Sequence, residues 1–186
     1  VLPLGPTHAD LSPYLSLSAH AGNPALISLD ELFKDSLFKD SWLTEALQGQ
    51  TKFSAELLAT EWQDNFDLYG FQGFEQFMCD NAYWLPDYAR FVAARSEAQG
   101  QPWWQWSNEL RDRQPEALDT LEKQAKHRIQ ACYLEQFVFD RQWQKLRKLS
   151  NELGISILGD MPLYVAHDSA DVWAHRSLFE LNANGE

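Results

Sequence analysis

Residues 149–173 read LSNELGISILGDMPLYVAHDSADVW, and this stretch decides the fold. Gly154 follows a segment of helical periodicity, at a point where helices commonly end on a residue in the left-handed conformation. Residues 155–158 form a short apolar run with β-branched members, which is typical of a strand covered on both faces. Pro162 has no backbone N–H to give to a sheet, so the strand must end before it. Asp160 is therefore predicted at the carboxyl end of a buried strand, where barrel-type α/β enzymes place their catalytic groups.

The start of the chain is predicted to contain a second strand and a long loop. Residues 1–4 read as a short strand that a Gly-Pro pair terminates, and residues 7–24 follow as a loop of small and polar residues. A loop of this length in a compact domain is commonly functional. Ser28 and Glu31 have the spacing of a capping box, which predicts the start of a helical stretch.

From residue 30 to residue 153 the sequence is almost entirely helical in pattern. Glycine and proline interrupt it and predict helix boundaries at Gly49, residues 70–73, Pro86, residues 100–102 and Pro115. The predicted amphipathic segments are 53–66, 74–81, 87–98, 103–113 and 115–153. In the last segment, the residues predicted to face the core are Leu134, Val138, Leu146, Leu149 and Leu153. The residues predicted to form its solvated face are Asp140, Arg141, Lys145, Arg147 and Lys148.

Composition excludes several classes of partner. The chain of 186 residues has a formal net charge of −12. This charge argues against nucleic acid, whose phosphates require Lys and Arg, and against an anionic membrane surface. The content of 8 Trp, 11 Phe and 6 Tyr is high for the length. Core packing and stacking on sugar rings both explain such a content, and the sequence leaves both interpretations open.

The cysteines and histidines predict no metal or other cofactor. Cys79 and Cys132 lie in apolar helical sequence without metal-ligand spacing, so they are expected to be buried free thiols in a reducing compartment such as the cytoplasm. His127 is expected to be packed or solvated on its helix, whereas His167 lies near Asp160 in sequence and is a candidate to reach the same cleft. The histidines without convergent metal spacing are His8, His20, His127, His167 and His175.

No apolar run of about 18 residues and no positively charged leader is visible, so neither a membrane span nor a signal peptide is predicted. The chain begins without Met, inside a predicted strand, and is expected to be a piece of a larger protein.

Three separated segments carry a resemblance to one family. Residues 159–173, GDMPLYVAHDSADVW, resemble the segment around the third strand of the 4-α-glucanotransferases, the amylomaltase or disproportionating-enzyme family (glycoside hydrolase family 77). Residues 2–27, LPLGPTHADLSPYLSLSAHAGNPALI, resemble the second-strand segment of the same family. Between them lie WLPDYARF at 84–91, a W-x-x-W at 103–106 and QFVFDRQW at 136–143. The matches stand in the family's order and span nearly the whole chain.

The resemblance implies an α/β fold, a (β/α)8 barrel with an all-helical insertion after an early strand. The chain itself would be mostly α and would hold two early barrel strands. Residues 1–29 would be a barrel strand with its substrate loop, and residues 30–133 the helical insertion. Residues 134–186 would be the crossover helix, the next strand and its loop. A helical segment as long as 30–153 between two strands agrees with an insertion, because an ordinary βαβ unit has about 30 residues.

The resemblance also implies the residues that bind substrate. Asp160 resembles the aspartate that lies beside the scissile subsite, and the alternative for it is a structural carboxylate that bonds loop amides. Tyr14 would lie against the sugar ring of the donor subsite and Ser12 would hydrogen-bond the glucan; the alternative for Tyr14 is that it only fixes the loop. The chain departs from the family's usual residues at 8–11 and at Leu15. The resemblance therefore supports the placement of the loop and does not extend to its finer subsite contacts.

Other residues of these segments have simpler interpretations. Asp168 and Asp171 lie where a loop enters a helix, and Asp168 suits an N-cap. The tryptophans Trp103, Trp104 and Trp106 resemble a family pair in the helical subdomain and are expected to pack there.

The implied reaction is the transfer of an α-1,4-glucan segment between maltooligosaccharides by a retaining double displacement, which requires two carboxyl groups. The nucleophile and the acid/base of the family lie on later strands, beyond residue 186, so no catalytic residue is expected in this chain and it is expected to be inactive alone. The expected partners are a maltooligosaccharide or α-1,4-glucan and the remainder of the barrel. The alternatives are an α-amylase-like hydrolase and a non-catalytic helical module that binds protein or polysaccharide.

Overall fold

One long helix, Lys126–Glu152 (α8), organises the structure. In the computed structural model, which describes residues 1–38, 42–62, 67–182 and 184–185, its most extensive helix contacts are with Ala55–Thr60 (α3) and Leu85–Glu97 (α5). The central part of α8 is buried, with Leu134 and Val138 almost inaccessible to solvent. The prediction that these two residues face the core is confirmed.

The described residues are mostly helical, as the sequence predicts. Besides α3, α5 and α8, the α-helices are Leu29–Lys34 (α1), Trp42–Leu47 (α2), Phe74–Asp80 (α4), Asn108–Arg111 (α6), Pro115–Gln124 (α7) and Ala170–Ala174 (α9). Short 3-10 helices occupy Pro24–Leu26, Leu68–Gly70, Trp103–Gln105 and Arg176–Leu178.

The helix boundaries follow local chemistry. The Ser28 hydroxyl accepts the N–H of Glu31 and begins α1, as the capping spacing predicts. Pro86 and Pro115 lie in the first turns of α5 and α7, where the missing proline N–H costs no hydrogen bond. Gly154 follows α8 in the left-handed conformation, with φ 69°. The N–H of Ile155 then donates to the carbonyl of Ser150, in the last turn of α8, at 2.8 Å. The prediction for Gly154 is confirmed.

Three predicted segments are shorter or divided in the structure. Segment 115–153 is two helices, because the backbone leaves helical geometry at Ala125 (φ −103°, ψ 23°). In segment 53–66 the described residues, 53–62, contain α3, and residues 63–66 lie outside the described part of the chain. Segment 103–113 is a 3-10 turn followed by α6, which the Ser107 side chain caps.

Aromatic rings fill the core. Phe74 and Phe137 meet edge to face with centroids 5.3 Å apart, a geometry that the ring quadrupoles favour. A second group surrounds Trp173, which is fully buried and lies 5.5 Å from the ring of Trp106. Trp103 and Trp106 are buried and Trp104 is partly buried, so the expectation that these tryptophans pack inside the helical part is confirmed.

Neither predicted strand forms among the described residues. Residues 1–4 and 155–158 have no regular secondary structure, and Leu158 is 85% exposed instead of buried. The two segments nevertheless touch at one point, where the nitrogen of Val1 donates to the carbonyl of Leu158 at 2.5 Å. A parallel strand needs neighbours along its edges and apolar layers on its faces, and these described residues supply neither. The structure of this chain is therefore mostly α.

The outer face of α8 is apolar and open, which corrects another prediction. Leu146, Leu149 and Leu153 were predicted to face the core, but they are 51%, 50% and 64% exposed. The first two line a cavity of about 540 Å³ together with Val1, Leu4, Leu26, Phe139 and Trp143. We call this surface the open apolar face; its leucines have helical spacing because α8 is apolar on two sides.

Two smaller predictions also change. Cys132 is a buried free thiol as expected, but Cys79 is exposed at the end of α4. Within the charged face predicted for α8, Arg141 and Lys145 do not merely face solvent: they bind Asp35 at 2.9 Å and Glu31 at 2.5 Å and so join α8 to the region of α1. In the segments that the structure describes, no helix is long and apolar enough to cross a membrane.

Two glutamines of α8 bind the N-terminal segment through paired hydrogen bonds. Gln136 accepts the N–H of Gly22 at 2.8 Å and donates to the carbonyl of Gly22 at 3.0 Å. Gln142 accepts the N–H of Ser28 and donates to its carbonyl, both at 2.8 Å. Each amide therefore satisfies both polar groups of one residue's backbone, as a strand partner would. This pairing fixes the end of loop 7–24 against α8.

Replacement of Gly22 by alanine tests how tightly this pairing is packed. A β-carbon at Gly22 would lie 2.1 Å from the ring of Phe139, so the loop must move away from α8. We expect the Gly22→Ala change to lower the free energy of unfolding of the complete protein by about 1–3 kcal/mol, as overpacking does. Urea denaturation followed by circular dichroism measures the change.

Gly70→Ala is the matched control, because the nearest atom to a β-carbon built there is a carboxylate oxygen of Asp67, at an ordinary contact distance of 3.8 Å. Equal urea midpoints for the two variants would show that Gly22 is not closely packed on α8.

Candidate functional site

The loop of residues 7–24 folds back on itself and projects its tip. Thr7 and Ser16 form an isolated antiparallel bridge, and the N–H of Leu17 donates to the carbonyl of Pro6 at 2.8 Å. Farther on, the N–H of Asn23 donates to the carbonyl of Leu4 at 2.7 Å. The base of the loop is thus closed, and residues 8–15 form a tip.

The tip has a tight turn that presents Ser12 and Tyr14. Leu11 has φ 59°, a left-handed conformation that is uncommon for a non-glycine residue and is often found at functional sites. The carboxylate of Asp10 accepts the N–H of Ser12 at 3.1 Å. Ser12 is half-buried, whereas Tyr14, two residues later, is 43% exposed.

Tyr14 and Asp160 meet across 146 residues of sequence. The hydroxyl of Tyr14 donates to Oδ2 of Asp160 at 2.8 Å. Two of the three predicted substrate-binding residues are therefore in direct contact, and Ser12 lies on the same loop tip as one of them. The contact connects two of the three segments that carry the sequence resemblance.

This hydrogen bond makes the phenol less acidic. The bond to the Asp160 carboxylate, followed by partial desolvation and by the repulsion of that negative charge, raises the pKa of Tyr14 above its ordinary value. Tyr14 thus stays a neutral phenol at physiological pH. It offers an exposed aromatic face next to a carboxylate, and sugars are bound by such a pair: the C–H face of the ring packs on the aromatic group and the hydroxyls bond to the acid.

The site does not contain a complete glycosyl-transfer apparatus. Retaining transfer uses two carboxyl groups about 5 Å apart, one as the nucleophile and one as the acid/base. Here the partner of Asp160 is a tyrosine hydroxyl, and the carboxylate of Asp10, on the same loop tip as Tyr14, accepts a loop N–H. Chemically, this arrangement is a binding surface.

Asp168, which follows Asp160 in the sequence, makes a structural contact with another helix. Asp168 does not cap α9, contrary to prediction; the Ser169 hydroxyl accepts the N–H of Val172 at 3.3 Å and provides the cap. Asp168 instead forms an ion pair with Arg95 of α5. An N-cap side chain must lie over the first turn of its helix, and Ser169 has the extended backbone that permits this (φ −138°, ψ 159°).

His167 packs against the helical part of the molecule. Its ring stacks on Trp104 with centroids 4.2 Å apart and planes at 5°, and its Nε2 lies 2.7 Å from the carbonyl oxygen of Gly185. His167 therefore packs on Trp104 and does not point to Asp160, as the sequence had suggested it could. His127 likewise stacks on an aromatic ring, that of Trp62, at 6.4 Å. Among the described residues, no group of three or more His, Cys, Asp or Glu side chains is placed to hold a metal ion.

Sequence reasoning missed the residues that fix the loop. Asp171 accepts the N–H of Ala19 at 2.9 Å, and Gln136 binds Gly22 as described above. The signal for Gln136 was an uncharged polar residue among core residues of α8, between Leu134 and Val138. A polar side chain at such a position requires hydrogen-bond partners, but sequence alone does not identify them.

Comparison with known proteins identifies one family. The 4-alpha-glucanotransferase family model matches residues 1–185. A 4-alpha-glucanotransferase of Aquifex aeolicus is 40% identical over 192 residues, which cover 99% of this chain and 39% of that relative. One of Synechocystis sp. is 37% identical over 194 residues, covering 98% of this chain and 38% of the relative.

A solved structure also matches, the amylomaltase from Streptococcus agalactiae in complex with acarbose. It aligns with a TM-score of 0.80 at 28% identity, over 99% of this chain and 39% of that one. The resemblance found in the sequence is confirmed. The chain spans well under half the length of the relatives it matches.

The contact between Tyr14 and Asp160 can be tested in solution. In an Asp160→Asn variant the carboxylate charge disappears, so the pKa of Tyr14 should fall towards its ordinary value. Carbon-13 NMR of tyrosine labelled at Cζ, titrated between neutral and alkaline pH, measures this pKa, and the spectrum of Tyr14→Phe assigns the resonance. A Tyr14 titration curve that is identical in the wild type and in Asp160→Asn would contradict the contact.

Proposed function

The chain belongs to the 4-α-glucanotransferase family, and from this membership we propose that it forms the donor-binding part of an enzyme that transfers α-1,4-glucan segments between maltooligosaccharides. The observation that carries the proposal is the 2.8 Å hydrogen bond between Tyr14 and Asp160. It joins two of the three family-like segments at one exposed position, and it leaves an aromatic face accessible beside a carboxylate.

In this proposal each of the three residues has a separate role. The ring of Tyr14 packs against the apolar face of the donor sugar, which removes apolar area from water and leaves the sugar hydroxyls free at the ring edge. Asp160 holds the Tyr14 hydroxyl and accepts a bond from a hydroxyl of the sugar beside the scissile bond. Ser12, on the same loop tip, donates a hydrogen bond to the glucan. None of these residues acts as nucleophile or acid/base.

The chemistry itself is proposed to be a retaining double displacement. A carboxylate attacks the anomeric carbon while a carboxylic acid protonates the leaving oxygen, and the 4-hydroxyl of a second glucan then displaces the enzyme. Both groups are proposed to lie on barrel strands that are not among residues 1–186. No metal or organic cofactor is required for these steps.

We further propose that this chain is an early part of a (β/α)8 barrel. Residues 1–29 would supply a strand and the substrate loop, 30–133 the helical insertion, and 134–186 the crossover helix and the next strand. The hydrogen bond from the nitrogen of Val1 to the carbonyl of Leu158 supports this arrangement, because it brings the two segments predicted as strands into contact. The open apolar face supports it as well, since an apolar surface with a cavity of about 540 Å³ is suited to be covered by the remainder of the barrel. A cytoplasmic location is proposed from the two free cysteines.

Incubation of the complete protein with maltotriose tests the proposed reaction. Transfer predicts glucose together with maltooligosaccharides longer than the substrate, resolved by chromatography. Shorter products alone would indicate a hydrolase, and binding of maltotriose without turnover would favour a non-catalytic binding module.

Replacement of Tyr14 tests the role of this site in the same assay. Tyr14→Ala removes the stacking ring, and we expect kcat/KM for maltotriose to fall by about 10- to 100-fold, equivalent to the roughly 1–3 kcal/mol of a buried aromatic contact. Tyr69→Ala is the control, because Tyr69 is a 63% exposed tyrosine that packs beside Phe74 in the helical part. A Tyr14→Ala enzyme with wild-type kcat/KM would exclude Tyr14 from the donor site.

A further inference from the structure

The returning arm of the loop, residues 16–19, is bound by two parts of the molecule. The outgoing arm binds it first, because the N–H of Leu17 donates to the carbonyl of Pro6 at 2.8 Å. The first turn of α9 binds it as well, because the N–H of Ala170 donates to the carbonyl of Leu17 at 2.9 Å. Both polar groups of the Leu17 backbone are therefore paired, and this residue joins α9 to the outgoing arm.

A side chain of α9 makes the next contact along the returning arm. Oδ2 of Asp171 accepts the N–H of Ala19 at 2.9 Å. α9 thus binds the arm at two points, once through its backbone and once through this carboxylate. We propose that Asp171 is a positioning residue for the donor site: by binding the base of the loop it sets where the ring of Tyr14 lies beside Asp160. This inference rests on the proposed function, because its enzymatic readout is binding of the donor glucan.

α9 is itself anchored in the helical part of the molecule. Trp173 of α9 is fully buried, and its indole N–H donates to the carbonyl of Leu110 at 3.2 Å. Ser169, also fully buried, provides the N-cap of the helix. Directly before it, Asp168 forms its ion pair with Arg95 of α5. Because the helix is fixed to the core in these ways, a hydrogen bond from its side chain fixes the loop to the core in turn.

The returning arm transmits this position to the tip of the loop. Ser18 is 2% exposed, and its carbonyl accepts the hydroxyl of Ser16 at 2.7 Å. Ser16 also forms the isolated bridge with Thr7 that closes the loop. Tyr14 lies two residues before Ser16, so only one residue separates Tyr14 from the bonded arm. A displacement of the arm therefore displaces the phenol.

Two possible roles of Asp171 make different demands on its side chain. As an acid in the first turn of α9 it stabilises the helix through its charge, and glutamate would serve equally well. As the acceptor for Ala19 it must place an oxygen at one position. Asparagine supplies that oxygen without a charge, whereas glutamate is one methylene longer and displaces it. The positioning role therefore predicts that asparagine can replace Asp171 and that glutamate cannot.

The test is the steady-state kinetics of the complete enzyme on maltotriose. Asp171→Ala removes the acceptor, and we expect KM to rise about three- to tenfold, the net effect of one hydrogen bond, with a much smaller change in kcat. Asp171→Asn should keep KM within about twofold of the wild type, whereas Asp171→Glu should resemble Asp171→Ala. An active Asp171→Glu beside an impaired Asp171→Asn would indicate a role in helix stability and would overturn the inference. A wild-type KM in Asp171→Ala would also overturn it.

Asp67→Ala is the matched control. The carboxylate of Asp67 likewise accepts a backbone N–H at 2.9 Å, that of Tyr69, but it does so in the helical part of the molecule. Loss of this bond should leave KM for maltotriose and the pKa of Tyr14 as in the wild type. A rise of KM as large as that of Asp171→Ala would show that the effect is not specific to the loop, which would contradict the positioning role.

A second readout does not depend on turnover. The bond to Asp160 raises the pKa of Tyr14, so this pKa reports whether the phenol stays beside that carboxylate. Measured by carbon-13 NMR of tyrosine labelled at Cζ, it should fall towards its ordinary value in Asp171→Ala and stay raised in Asp171→Asn. Asp171→Glu provides the same test if Asp171→Ala does not fold.

The NMR titration also separates this inference from the proposed function. An unchanged Tyr14 pKa in the variants that lack the bond to Ala19 would overturn the positioning role, whatever their activity. Absence of longer products from maltotriose with the wild-type enzyme would contradict the proposed function, and the titration would still decide the role of Asp171.

Discussion

The paired hydrogen bonds between Gln136 and Gly22 are the constraint on which the rest of the structure depends. They attach the N-terminal segment to α8 although the two are 114 residues apart. The absence of a side chain at Gly22 allows the close approach, because the ring of Phe139 occupies the space that a β-carbon would need. With the base of the loop fixed there, its tip lies where Tyr14 reaches Asp160 at 2.8 Å.

The long helix has two apolar sides with different roles. Its inner side packs on α3 and α5 and contains Phe137, whose ring belongs to the aromatic core. Its outer side presents Leu146 and Leu149 on the open apolar face. The same helix thus supports the helical part and offers a surface to a further layer, which is how an insertion attached to a barrel would be built. Val1 and Leu4, from one of the two segments predicted as strands, line this face.

The sequence predicted the ends of helices, which depend on neighbouring residues, but it did not predict which distant residues contact one another. Ser28 and Gly154 mark helix ends because capping depends on a few neighbouring residues. The strand prediction for 155–158 did not hold, because a strand exists only with its partners. Tyr14 and Asp160 were selected through family resemblance, whereas their mutual hydrogen bond needed the fold. Gln136 was missed because a polar residue among the buried residues of a helix indicates that it needs hydrogen-bond partners, but the sequence does not show that the partner is the backbone of Gly22.

The central claim is that Tyr14 and Asp160 act as one unit on the donor sugar, and a double-mutant cycle measures this directly. The kcat/KM for maltotriose would be determined for the wild type, Tyr14→Phe, Asp160→Ala and the double variant of the complete enzyme. Our account predicts a coupling energy of about 1 kcal/mol or more, because each single change already removes the shared hydrogen bond. Strictly additive effects would contradict it and would show that the contact has no part in donor binding.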